Sequence, residues 1–176
     1  MNARRMAALF VCAVTLVAAA PRIPRALMEQ LENGLEGKFA AIWQQNPVEV
    51  LGVPQSAYIN GYGAVFMTKL NLAPAAAITP FHPVVKPEEV KRTHDIKAQR
   101  IDQLRTAMRT MLVDTAASLD TVPSEEQISL CVSLFYWNWE NHDGLPNEIV
   151  MHAPKKLLLA AKTGGADKAA ITSDEY

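Results

Sequence analysis

The chain has 176 residues, of which 49% are apolar and 20% charged, and this is sufficient for one globular domain with its own core. The formal net charge of −1 lacks the excess of Lys and Arg that general nucleic-acid binding requires, so the sequence predicts no nucleic-acid partner. Cysteine is equally informative, because Cys131 is the only cysteine beyond the N-terminal segment and no internal disulfide can form. Cys131 lies in an apolar run, which favours a small buried thiol.

The N-terminal segment is typical of a secretory signal peptide. Two arginines precede an uninterrupted small and apolar run over 6–20. Cleavage after Ala19 is favoured, because a cut one residue later would place a proline directly behind it. The run of about 15 residues is shorter than the ~20 that a spanning helix needs. We therefore expect residues 1–19 to be a signal peptide, the protein to be exported to the periplasm or secreted, and no membrane span to remain after cleavage. A retained anchor is the alternative.

The next segments predict a helix followed by strands. Residues 20–25 contain two prolines and are expected to be an extended linker. Apolar residues at helical spacing predict a helix over 26–43. The β-branched run 48–53 is compatible with a first strand. An Asn-Gly pair between two apolar runs then predicts a β-hairpin over 56–72.

A long amphipathic helix dominates the middle of the chain. It follows a proline-rich crossing loop over 73–83 and begins with Pro87, which the first helical turn tolerates, and two glutamates. Apolar residues recur every three or four positions to Leu119, and they mark one helix face. A helix of about 30 residues is about 45 Å long. Such a helix requires a sheet or other helices along its apolar stripe.

The last third predicts a second hairpin and a polar tail. Alternating residues favour a strand over 128–140, a turn over 141–147 and a returning strand over 148–153. A short helix is expected to run from Pro154 to residue 162. Residues 163–176 are rich in small and charged residues, which predicts a disordered tail.

Together these elements predict a single α+β domain over 26–162. The expected order is α-β-β-α-β-β-α, with two hairpins joined into one antiparallel sheet. The long helix and the shorter N-terminal helix are expected to pack on one face of that sheet.

Three polar residues form one candidate site at the predicted strand end and turn. Glu140, His142 and Asp143 lie close in sequence and have the side chains that acid–base catalysis or metal binding would use. The simpler interpretation is a solvated hairpin tip. No His or Cys pair has a recognised metal-ligand spacing, so no metal and no cofactor is assigned.

Three aromatic residues form a second candidate site. Phe135, Trp137 and Trp139 share one face of the predicted strand. Exposed, they would provide a contact surface for a protein, a sugar or another flat ligand. The alternatives are packing under a helix or an aromatic cluster across neighbouring strands.

These observations favour an exported, non-enzymatic domain that binds a protein partner or a cell-envelope component. The main alternative is an exported metal-dependent or acid–base hydrolase that uses the 140–143 turn. A third hypothesis is a membrane-anchored subunit that keeps its signal segment and presents the long helix to a partner.

Overall fold

A computed structural model describes residues 23–45, 47–74, 84–165 and 170–176. The expected signal peptide, part of the linker and most of the proline-rich loop lie outside these residues. Within them the elements are α1 (Arg25–Ile42), β1 (Glu49–Val50), β2 (Gln55–Ile59), β3 (Gly63–Asn71), α2 (Pro87–Ala116), β4 (Gln127–Leu134), β5 (Glu148–Pro154), α3 (Lys155–Lys162) and β6 (Thr172–Glu175). Among the described helices, none has both the length and the apolar character that crossing a bilayer requires.

The sheet is mixed, so the prediction of an entirely antiparallel sheet is wrong. Both hairpins form, since β2 pairs with β3 and β4 with β5 in antiparallel fashion. The two hairpins meet through parallel strands, however, with Gly63 beside Gln127 and Leu70 beside Leu134. The physical reason is the crossover helix. Helix α2 carries the chain back along β3, so that β4 starts at the same end of the sheet as β3.

Two short strands extend the expected element order. Strand β1 pairs with the end of β3, and β6 pairs with β5 at the opposite edge of the sheet. The disordered tail expected over 163–176 therefore contains an ordered strand. Its sequence has no apolar alternation to reveal it. It is held by the backbone of β5 and by Arg105 on α2, which donates two hydrogen bonds to the Glu175 carboxylate at 2.6 and 2.8 Å.

Two element boundaries also differ from the predictions. Helix α1 begins at Arg25, so the extended linker expected over 20–25 is shorter at its C-terminal end. Strand β4 ends at Leu134 rather than at residue 140. Beyond it the chain turns, and the carbonyl of Trp137 accepts a hydrogen bond from the backbone N–H of Glu140 at 3.0 Å. The three aromatic residues therefore do not share a strand face.

The α+β class is confirmed, and the helices lie on one side of the sheet. Alternate residues of the central strands point to the helices and are buried, with Phe66, Leu130 and Met151 each at most 1% exposed. Helix α2 supplies the facing layer through Leu104 and Met108, both fully buried. The remaining residues of the same strands point away from the described helices.

Candidate functional site

The side of the sheet that faces away from the helices is called here the open face. Successive strand residues alternate between faces, so the pairing register defines which side chains lie together on it. From β2 to β6 they are Gln55, Ala57, Ile59, Val65, Met67, Lys69, Gln127, Ser129, Cys131, Ser133, Glu148, Val150, His152, Thr172 and Asp174.

Apolar side chains are exposed on this face. Ile59 is 52% exposed and Met67 is 44% exposed. Strand β4, which lies between β3 and β5, directs Gln127 and the small residues Ser129, Cys131 and Ser133 toward the open face. One of them, Ser129, is covered by the side chain of Tyr62, whose hydroxyl lies 2.9 Å from the Ser129 hydroxyl. The centre of the open face is therefore largely uncharged and shallow.

Cys131 lies half-buried at the middle of the open face, not in the core as expected. Burial raises the pKa of its thiol, and the Glu148 carboxylate raises that pKa further. A raised pKa keeps the sulfur protonated at neutral pH, which is opposite to what a nucleophilic cysteine requires.

His152 also points to the open face. Its imidazole nitrogens lie 3.4 Å from the side-chain oxygen of Gln127 and 3.5 Å from the Asp174 carboxylate. Ser129 is its direct neighbour across β4 and β5, but that hydroxyl is buried against Tyr62. A serine that is covered in this way is not placed to attack a substrate.

The segment 135–140, called here the aromatic loop, adjoins one end of the open face. Phe135 and Trp137 pack edge to face with ring centroids 4.9 Å apart. The ammonium of Lys69 lies 5.2 Å from the Phe135 ring, which places this ring beside the open face. Trp137 is 37% exposed. Trp139 is half-buried, and its indole N–H is buried without a hydrogen-bond partner among the described residues.

A buried ion pair holds the aromatic loop against α2. The Lys97 ammonium lies 2.5 Å from a Glu140 carboxylate oxygen, and both side chains are only 1% exposed. Lys97 also donates to the carbonyl of Phe135 at 2.8 Å and lies 4.6 Å from the Tyr136 ring. The other Glu140 oxygen accepts the backbone N–H of Trp137 at 3.2 Å. Burial lowers the pKa of Lys97, although Glu140 opposes this shift.

The charge of Lys97 predicts a place on the polar side of the long helix, but the side chain is buried. Its position is four residues before Ile101 and therefore continues the apolar stripe of α2. The three- and four-residue spacing of the apolar stripe includes position 97, but a charged residue at that position does not suggest burial. Arg100 is similarly buried and donates to the carbonyl of Leu72.

The three residues of the predicted polar site are not brought together. Glu140 is directed into the interior, while His142 and Asp143 are exposed in the turn. Asn141 accepts the backbone N–H of Asp143 at 2.9 Å, as expected of a turn residue. No group of three His, Cys, Asp or Glu side chains in the described ranges is arranged to hold a metal ion.

The grooves that the described residues form on the helical side of the molecule include two spacious ones. The larger, about 740 Å³, separates α1 from α2 and is lined by apolar side chains that include Ile42, Ala107 and Met111. The other, about 640 Å³, lies between the start of α2 and Asn141, with His94 in its lining. Neither brings together the acid, base and nucleophile that catalysis would require.

Comparisons with protein-family models, with curated proteins and with solved structures give no match for this chain.

Proposed function

We propose that this chain is an exported, non-enzymatic binding domain. Its partner surface is the open face of the sheet together with the adjoining aromatic loop. The observation that supports this proposal is the exposure of Ile59 and Met67 on the side of the sheet that the described helices leave uncovered. The side of a sheet that faces water ordinarily carries polar residues. Apolar groups grouped on such a face mark a contact surface.

The aromatic loop supports the same proposal. Trp137 is partly exposed, and its packing against Phe135 fixes its orientation. Trp and Met are enriched at the centres of protein interfaces because they bury a large area. The Lys97–Glu140 pair ties this loop to α2, so the exposed ring is presented by a rigid support.

A binding role has more support than the alternative hydrolase centred on residues 140–143. The Glu140 carboxylate already has Lys97 and the backbone N–H of Trp137 as partners. An acid–base or metal mechanism would have to operate with the exposed His142 and Asp143 alone.

Site-specific photo-crosslinking tests the proposal in the organism that makes the protein. A photoreactive amino acid at position 67 samples the open face, and the same residue at the exposed position 30 of α1 is the matched control. We expect a defined adduct from position 67 and none from position 30. The Trp137→Ala substitution should reduce the yield of that adduct. Equal labelling from both positions, or no adduct from position 67, would contradict the proposal.

A further inference from the structure

We infer that the open face binds a second copy of this chain, related to the first by a twofold axis that runs along β4. This inference rests on the proposed function, because it identifies the partner of the same surface. It comes from the way that the two halves of the open face, on either side of β4, complement each other in charge and in the positions of their apolar side chains.

The first evidence is a pair of opposite charges on the open face. Lys69 on β3 and Glu148 on β5 both pair in register with Ser133, so they flank β4 at the same level. Within the described residues neither side chain has an ion-pair partner. Rotating a second copy by a half turn about β4 places its β5 over the first copy's β3. Each Lys69 then faces the Glu148 of the other copy, and two equivalent ion pairs form.

The second evidence is the position of two apolar side chains on either side of β4. Met67 and Val150 both pair in register with Cys131, one level along the strand from the charges. The same half turn places each Met67 over the Val150 of the other copy. The small side chains of Ser129, Cys131 and Ser133 lie on the axis, and the Tyr62 ring that covers Ser129 would lie beside its own copy there. An isologous contact of this kind requires a surface that is complementary to itself.

The charges also favour this axis over a twofold axis that lies in the plane of the face and crosses the strands. An axis that lies in the plane of the face and runs across the strands would stack β3 on β3. The open face of β3 carries Val65, Met67 and Lys69 but no acid. Lys69 would then lack a partner. Twisted sheets pack at an angle of about 30°, which shifts contacts at the edges more than those beside the axis. Lys69 and Glu148 lie on the strands next to the axis.

The size of the face predicts the strength of association. The five strands β2 to β6 have 5, 9, 8, 7 and 4 residues, and at ~3.3 Å per residue and ~4.8 Å between strands they cover roughly 500 Å² per copy. A standard stable interface buries about 800 Å² per partner. We therefore expect a dimer that dissociates in the micromolar range rather than a permanent one.

The principal test exchanges the two charges and measures the dimer dissociation constant by sedimentation equilibrium. The protein is purified after export, with the N-terminus that the cell leaves on it. Lys69→Glu and Glu148→Lys should each weaken the dimer about tenfold or more, because two repulsive contacts replace two attractive ones. The double variant restores opposite charges and should dimerise within about threefold of wild type. Arg92→Glu, an exposed change on α2, is the control and should have no effect. Monomeric wild type at millimolar concentration, or a folded double variant that fails to recover, would overturn the inference.

The thiol of Cys131 gives a second measurement. Because it lies on the axis, its reaction with a maleimide should slow as the protein concentration passes the dissociation constant. The slowing should be seen in wild type and the double variant, and should be shifted to higher concentration in the single variants. Packed sheets lie about 10 Å apart, beyond the ~7 Å between Cα atoms that a disulfide allows, so spontaneous oxidation to a disulfide is not expected. A rate independent of concentration would contradict the inference.

The crosslinking experiment separates this inference from the proposal beneath it. An adduct that joins position 67 to β5 of a second copy supports both. An adduct with a different protein overturns the dimer and leaves the binding role standing. No adduct at position 67 removes both.

Discussion

Replacing Lys97 by methionine tests whether a buried charge holds the aromatic loop. The substitution keeps the aliphatic stem and removes the ammonium that lies 2.5 Å from Glu140. The Glu140 carboxylate, only 1% exposed, would then lack its cation. Removing one partner of a buried pair costs about 3–5 kcal/mol, because the other charge stays desolvated. A domain has about 5–15 kcal/mol in total, so this variant should be close to unfolding.

The double variant Lys97→Met, Glu140→Gln separates two costs: that of leaving the Glu140 carboxylate charged without its cation, and that of altering the packing of the two side chains. It removes both charges, and the introduced amide oxygen can still accept the Trp137 backbone N–H, now at 3.2 Å from the carboxylate. We expect the free energy of unfolding to return to within about 1–2 kcal/mol of wild type. The surface pair Lys38–Asp114, 44% exposed on each side, is the matched control. Lys38→Met should cost less than about 1 kcal/mol.

Urea unfolding followed by circular dichroism measures all four proteins. A lower midpoint with an unchanged slope reports stability alone. Two results would contradict this expectation: Lys97→Met costs no more than the surface control, or the double variant is less stable than the single one. Either result would mean that the Lys97–Glu140 pair is not desolvated to the extent that its burial implies.

Three further predictions concern the strand start, alkaline pH and the C-terminal strand. Gly63→Ala should cost at least about 3 kcal/mol in urea unfolding, because overpacking forces β3 and β4 apart. The added Cβ would meet a backbone oxygen of β4 at 1.8 Å, whereas at Gly61 it meets open space. Gly61→Ala should cost only about 1–2 kcal/mol, for its left-handed backbone. Burial raises the pKa of Tyr136 from 10.0 to about 12, and the Glu140 carboxylate makes a smaller contribution in the same direction. The contribution of Tyr136 to stability is complete below pH 10 and is lost as the pH rises through 12, so Tyr136→Phe should show a smaller alkaline loss of stability. Hydrogen bonding to Arg105 lowers the pKa of Glu175 below its usual 4.5. Stability from this pair is present above pH 4.5 and is lost as the pH falls through the lowered pKa, so the protection factors of the β6 amides, corrected for intrinsic exchange, should fall there in wild type and not in Arg105→Gln.

Each of these predictions has a contrary outcome. Equal destabilisation by the two glycine substitutions would mean that β3 and β4 separate freely at that point. An identical alkaline limb for wild type and Tyr136→Phe would mean that this ring ionises as it would in water. Protection of the β6 amides that stays constant as the pH falls through the pKa of Glu175 would mean that the Arg105–Glu175 contact does not retain the strand.

Features set by neighbouring residues could be predicted from the sequence. The Asn60-Gly61 pair defined a hairpin turn, and the structure has β2 and β3 on either side of it. The apolar spacing after Pro87 predicted a helix over 87–119, and α2 runs to Ala116. In both cases the deciding interactions span only a few residues, so the pattern and the structure agree.

Features set by distant contacts could not be predicted in this way. Trp137 and Trp139 continue the alternation of β4, yet the strand ends before them because Lys97 draws Glu140 inward and turns the loop. The same contact withdrew Glu140 from the predicted polar site. Strand β6 has no apolar pattern, and its order depends on β5 and Arg105.

The sequence by itself determined the α+β class, the two hairpins and the long helix, because backbone turns and side-chain periodicity are local properties. Only the tertiary structure decided that the hairpins meet through parallel strands, which charges are buried, and which residues share the open face. Those outcomes depend on the path of α2 across the sheet, and this path brings together residues that are remote along the chain.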